Sequence, residues 1–172
     1  MAADIVIGLD PGSRRTGYGV IAVQGDRFAH VAHGVIELKG SWPMPERWRV
    51  LQLELSGLFA KHPARVAVVE KIFFGKSADS AFKLGHARGV CLLAAAQVAC
   101  AVEEYAARYV KKAITGNGAA DKEHVQKVIF NLLRISPRTL AFDASDALSL
   151  AVTHAMVRDV NARLKKALEN SP

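Results

Sequence analysis

The order of elements along the chain predicts an α/β fold: a mixed five-stranded sheet, three strands in an antiparallel meander plus parallel strands, covered by helices on both faces. Three observations lead there. Apolar runs of strand length at 4–10, 17–23 and 28–38 are joined by short turns at Pro11-Gly12 and Gly25-Asp26. Connections that short force antiparallel pairing. Later strand-length runs are separated by helical ones, whereas an all-parallel dinucleotide fold would alternate strand and helix from the start.

After the meander, the loop "KGSWPMP" leads into a helix over about 46–61, with Leu51, Leu55 and Leu58 on one face. "ARVAVVE" is a continuous apolar run, as in a strand buried on both sides, and it ends at Glu70. From Asp79 to Ala99 the pattern is helical. Its second half, "VCLLAAAQVA", is apolar nearly all round and calls for cover on more than one side. A short strand near 101–105 follows, then the basic stretch "RYVKKAITGNG", a helix from about Ala120, and a last helix from about 142 to 166. Residues 167–172 read as a frayed tail. With no repeat, low-complexity segment or long linker, residues 1–172 read as a single domain, since chains of this size bury roughly 70% of their unfolded surface.

Composition narrows the function. Lys and Arg number 23 against 16 Asp and Glu, a net charge of +7, which suits a partner carrying many phosphates. No segment joins a large apolar face to a basic one as an interfacial helix does, and no run reaches the length of a membrane span. The opening "MAADIVIGLD" lacks the basic and apolar regions of a secretory signal, so a cytosolic protein is expected. The two cysteines, Cys91 and Cys100, read as reduced core residues of one helix, in no metal-type spacing.

The acids carry the chemistry. Along 5–10 Ile5, Ile7 and Leu9 share one face and Val6, Gly8 and Asp10 the other, so Asp10 sits where the first strand gives out. Glu70 closes "VAVVE" in the same way. Asp143 and Asp146, three apart, share one face at the start of the last helix. Each has an ordinary reading alone: Asp143 a helix cap, Asp146 an acid favoured by the helix dipole, Glu70 a solvated strand end, Asp10 a turn residue. Together they are harder to set aside, because the apolar "ASDALSLAVTHA" must lay its helix on the sheet and bring the acids to the strand ends. Carboxylates crowded at about 4 Å repel by roughly 1–4 kcal/mol per pair. Divalent cations remove that repulsion, and hard oxygen ligands suit Mg²⁺ or Mn²⁺ rather than zinc. Two such ions about 4 Å apart can activate a water and stabilise the leaving oxygen of a phosphodiester.

In order and spacing, "GLDPGSRRTGYGV", "VVEKIFFGKSADSAFKLGHARGV", "EYAARYVKKAITGNGAADKEHV" and "FDASDALSLAVTHA" resemble the RuvC-type Holliday-junction resolvases, over nearly the whole chain to about residue 158. The resemblance implies an RNase H-like fold, a homodimer, Mg²⁺-dependent paired nicking of four-way DNA junctions leaving 5′-phosphate and 3′-hydroxyl ends, and a branch-migration motor of the RuvA and RuvB type as partner. It places the family's acidic tetrad on Asp10, Glu70, Asp143 and Asp146. It also makes Phe73 the aromatic that stacks on bases at the opened crossover, and sets Lys111 and Lys122 near the scissile phosphate. Lys71 stands where a glutamine is common, and Ser145 where an alanine is usual.

Other residues are weighed beside these. Arg14 and Arg15 could bind phosphate or belong to a solvated turn, and alternation points only one of them at the site. Phe73 and Phe74, flanked by Lys71 and Lys76, could form a stacking platform, with Phe73 sent to DNA and Phe74 inwards. Lys111, Lys112 and Lys122 could be surface charge, or could offset charge developing at a phosphate. His86, His124 and His154 carry no ligand spacing. Ala81, Gly85 and Gly89 repeat every four residues and make a helix face suited to close approach, either of the chain's own sheet or of a second copy across a twofold. Competing functions are a phosphotransferase with a related phosphate loop, a non-catalytic junction-binding module, and a nuclease acting on RNA or hybrid duplex. A chain of 172 residues cannot supply the first with its two lobes.

Overall fold

The computed structural model describes residues 3–71, 78–136 and 141–169, with side chains described as far as 158. Its elements are β1 (Asp4–Asp10), β2 (Arg15–Gln24), β3 (Arg27–Glu37), α1 (Met44–Lys61), β4 (Val66–Glu70), α2 (Ala78–Gln97), β5 (Ala101–Tyr105), α3 (Ala107–Thr115), α4 (Lys122–Leu133) and α5 (Phe142–Glu169). The strands form one sheet in the order β3-β2-β1-β4-β5. β1, β2 and β3 are the antiparallel meander, and β4 and β5 run parallel to β1, as the sequence predicts.

Alternation along the strands divides the core in two. Ile7, Leu9, Val20, Ala67 and Val69 pack with Leu51, Leu55 and Phe59 of α1 and with Ala87 and Cys91 of α2. Val6, Ile21, Val23 and Val68 pack with Val110 and Ile114 of α3, Val125 and Ile129 of α4, and Leu148 and Ala151 of α5. Ala67, Val68 and Val69 are wholly buried, as a strand covered on both faces should be.

Two sequence expectations need correction. The basic stretch after β5 contains a helix, α3, hidden because only Val110 and Ile114 of its short run are buried and no side chain caps its start. Gly116 ends it in the left-handed conformation, with φ 79°, which glycine adopts without a steric penalty. Helix α2 stops at Gln97, so Cys100 lies beyond it in the turn to β5, and both cysteines are buried and free. Helix α2 packs against both α1 and the sheet, as its apolar second half predicts, while Phe82 is 70% exposed and Leu93 53% exposed. No helix among the described residues is long and apolar enough to cross a membrane.

Candidate active site

Glycines in β1 and β2 set how close the last helix comes. A Cβ built on Gly8 would stand 1.9 Å from the carbonyl oxygen of Ala147, and one on Gly17 would stand 2.0 Å from that of Asp143. Real side chains cannot approach backbone so closely, so only glycine lets the first turns of α5 lie directly on the sheet. That contact carries Asp143 and Asp146 to the end of β1. The parallel pairing of β1 with β4 runs from Val6↔Val66 to Leu9↔Val69, so Asp10 and Glu70 are the next residue on each strand. All four acids therefore lie towards the carboxyl ends of two neighbouring parallel strands, where α/β sheets place their ligands.

The turn after Asp10 is tight. A Cβ on Gly12 would stand 2.2 Å from the Arg15 carbonyl oxygen, and the buried hydroxyl of Thr16 donates to the Gly12 carbonyl at 3.2 Å. Arg47 of α1 donates from Nε to the Trp42 carbonyl at 2.9 Å and also to the carbonyls of Ser13 and Gly40, tying this turn to the loop after β3.

Electrostatics shows how crowded the acids are. Burial pushes the Asp10 carboxyl up to about 8, aided by the carboxylates of Asp146, Glu70 and Asp143 and opposed by Lys122. Two of the acids are held by cations. The Arg15 Nε lies 3.2 Å from Asp143 Oδ2, and the Lys122 Nζ lies 3.0 Å from Asp146 Oδ2. The hydrogen bond to Asp146 raises the affinity of Lys122 for its own proton. Among the described residues no three His, Cys, Asp or Glu side chains are already gathered to hold an ion. Arg15 and Lys122 account for part of this, since each engages one of the carboxylates that would have to converge. The donor set itself, four carboxylates in mutual repulsion, is the chemistry that a hard divalent cation fits.

A cavity of 820 Å³ opens over the acids and is lined by Asp10, Glu70 and Asp146 together with Arg14, Lys111 and Lys122. The Lys111 Nζ donates to the Ala120 carbonyl at 2.7 Å, which fixes the lysine against the start of α4. Both arginines reach the site, although alternation points only one of them there: Arg14 lines the cavity, and Arg15 pairs with Asp143. Lys112 is exposed on α3 and does not line the cavity. Lys71 is exposed, and its backbone N–H donates to the Tyr105 carbonyl at 2.9 Å. Phe73, Phe74 and Lys76 lie outside the described residues. Ala81 is half-buried, whereas Gly85 and Gly89 are exposed with open space where a Cβ would stand. The His154 Nδ1 meets the Tyr105 hydroxyl at 3.1 Å, a packing contact of the kind expected for it. Gly8, Gly17, Glu37 and Arg47 escaped the sequence reading. The alternating glycines of "GLD" and "TGYGV" were the available signal for the first two.

Comparison with known proteins follows the geometry. A family model for crossover junction endodeoxyribonuclease RuvC matches residues 6–154. The protein of that description from Bdellovibrio bacteriovorus is 44% identical over 165 residues, covering 95% of this chain and 97% of its own. That from Xanthobacter autotrophicus is 48% identical over 164 residues, covering 95% and 96%. The structure of T. thermophilus RuvC in complex with Holliday junction substrate matches with a TM-score of 0.82 at 27% identity, over 91% of this chain and 96% of that one. The sheet and its helices are thus the RNase H-like α/β arrangement of these resolvases. Matched by the family model over most of its length and by relatives along nearly all of theirs, the chain belongs to the RuvC family of crossover junction endodeoxyribonucleases.

Proposed function

We propose that this chain resolves four-way DNA junctions by metal-dependent hydrolysis of two opposing strands, in recombination and repair. The observation that carries the reading is a cavity lined by Asp10, Glu70 and Asp146 with Arg14, Lys111 and Lys122, with Asp143 near enough to raise the Asp10 carboxyl, in a chain of this family. In it the four acids hold divalent cations, Mg²⁺ by preference, two per subunit, with Mn²⁺ able to substitute. Ions bound there would supply an activated water and charge stabilisation at the leaving oxygen.

The chain's own residues do the rest. Lys122 and Lys111 stand at the cavity wall, where a fixed positive charge offsets charge that develops on a phosphate. Arg14 lines the cavity, where the backbone of a bound strand would need a counter-charge, and Lys71, Lys76 and Lys112 are assigned further contacts to DNA phosphate. Phe73 is the aromatic assigned to base stacking. Arg15 reaches phosphate when it leaves Asp143.

The working unit in this reading is a homodimer formed through α2, whose face of Gly85, Gly89 and Leu93 is open and apolar. A twofold dimer offers two sites to the matching approximate symmetry of a junction. The compartment is the cytoplasm, and a branch-migration motor of the RuvA and RuvB type is the partner.

Purified protein incubated with a synthetic mobile four-way junction, with Mg²⁺ or with EDTA, tests the reading when nicks are mapped on all four strands. Symmetric nicks on two opposing strands that require the metal are expected. Tight binding without cutting in any divalent metal would make the protein a junction-binding module instead.

A further inference from the structure

Arg15 stands between two carboxylates and its Nε is close to both. Its Nε lies 3.1 Å from Glu37 Oε1 and 3.2 Å from Asp143 Oδ2. The Nε carries one of the five guanidinium N–H groups and both acids approach that one, so each weakens the other's hydrogen bond to it. Their supports differ. Glu37 is fixed by the sheet, because Arg15 and Glu37 are direct partners in the β2–β3 ladder and the Leu38 N–H donates to the Arg14 carbonyl at 2.8 Å. Asp143 is fixed by α5, whose carbonyl at that residue rests on Gly17. Both side chains of the pair are exposed, so the sheet fixes their backbone separation while the guanidinium can shift between its two acids.

We propose that Glu37 and Arg15 form a positioning pair that sets how available Asp143 is to a divalent cation, Glu37 drawing Arg15 away from the carboxylate that the cation must engage. The inference rests on Asp143 being a metal ligand, as in the function proposed above. An oxygen that ligates a cation gives up its close pairing with a guanidinium. Without Glu37 the arginine has one acceptor left and occupies Asp143 more fully. Without Arg15 the acid stands open, and Glu37 no longer matters to it. Neither residue touches the reacting atoms, so both act through Asp143.

The experiment is calorimetric titration of the full chain with Mn²⁺ at low ionic strength, on wild type, Arg15→Gln, Glu37→Gln, the double variant, Arg14→Gln and Asp143→Asn. Exposed ion pairs change an equilibrium by about two- to fivefold. On that scale Arg15→Gln tightens Mn²⁺ binding, Glu37→Gln weakens it, and the double variant matches Arg15→Gln alone. Arg14→Gln measures what removal of a nearby positive charge does through space, and it must tighten binding less than Arg15→Gln. Additive effects of Arg15→Gln and Glu37→Gln would overturn the proposal, because they would mean that each charge acts on the cation independently. Asp143→Asn separates the two levels. If it leaves Mn²⁺ affinity unchanged, the assignment of Asp143 has failed and the proposal falls with it. If it weakens binding while the pair behaves additively, only the pair has failed. A second readout is the Arg15 Nε–H resonance, which shifts on addition of diamagnetic Mg²⁺ in wild type and shifts less in Glu37→Gln.

Discussion

The two faces of the sheet are finished differently. On one, α3, α4 and α5 close a core in which Leu148, Ala151 and Val152 of α5 are almost wholly buried, and the helix lies on the backbone of Gly8 and Gly17. On the other, α1 and α2 cover the strands with Leu51, Leu55 and Cys91, yet α2 turns Phe82, Gly85, Gly89 and Leu93 outward. The first face is complete within one chain and fixes the four acids. The second leaves these α2 residues exposed among the described residues, on the face through which the dimer proposed above would form. The same sheet thus positions the acids on one side by close packing and leaves apolar residues exposed on the other.

Gly8→Val should break this contrast most severely, because its side chain would occupy the space of the Ala147 carbonyl. Overpacking of this kind destabilises by about 3 kcal/mol. In a chain of this length that lowers the thermal midpoint by about 10 °C, and a melting curve checks it. The opposite face should respond in the opposite way. Leu93→Asp alters an exposed position, so folding should change by no more than about 0.5 kcal/mol, while sedimentation should show the dimer lost. A Leu93→Asp protein that remains dimeric would remove α2 from the interface.

The acid site gives a pH signature. The Asp10 carboxyl lies at about 8 in the fold against 3.8 for the ordinary group, so the folded state holds this proton more tightly than the unfolded one. Its contribution to stability is fully present at low pH and is lost as pH rises from about 4 through about 8. Metal-free protein should therefore melt at lower temperature at pH 8 than at pH 6, and Asp10→Asn should remove most of that difference. Divalent cation should restore stability at pH 8 in wild type and much less in the variant. A wild-type midpoint that rises over this range in parallel with Asp10→Asn would show that Asp10 is not held among the acids as described.

The smallest effect belongs to Lys112, which is exposed and stands away from the cavity. If it touches one phosphate, Lys112→Ala lowers the slope of log affinity against log salt by about 0.9. An unchanged slope would make it solvated surface charge.

Much of the fold was legible because its signals are local. Seven alternating residues ending in Asp10, and the continuous apolar run ending in Glu70, identify two strands and the acids that close them. Asp143 and Asp146 follow from helical spacing in "FDASDALSL". What escaped depends on contacts between elements. Gly8 and Gly17 read as ordinary strand positions in a sequence and become a floor for α5 only once β1 and β2 are paired and the helix lies on them. Helix α3 was missed because two buried residues among arginines and lysines give too short a pattern. The Arg15–Glu37 pair needs the register of β2 against β3, and the sequence pattern begins β2 at Gly17 rather than at Arg15, which left Arg15 in a turn. A short motif reports which residue types are present, whereas their pairing is a property of the sheet.

The most direct test of the central claim, that the four acids serve cutting and the basic residues around them serve binding, is single-turnover cleavage of a bound junction, with binding measured in the same samples. Wild type and Asp10→Asn should bind the junction within a few-fold of one another. Cleavage by the variant should fall by about 10³-fold or more, as loss of several kcal/mol of charge stabilisation requires. Loss of binding and cleavage together, or cleavage that survives in Asp10→Asn, would contradict the account.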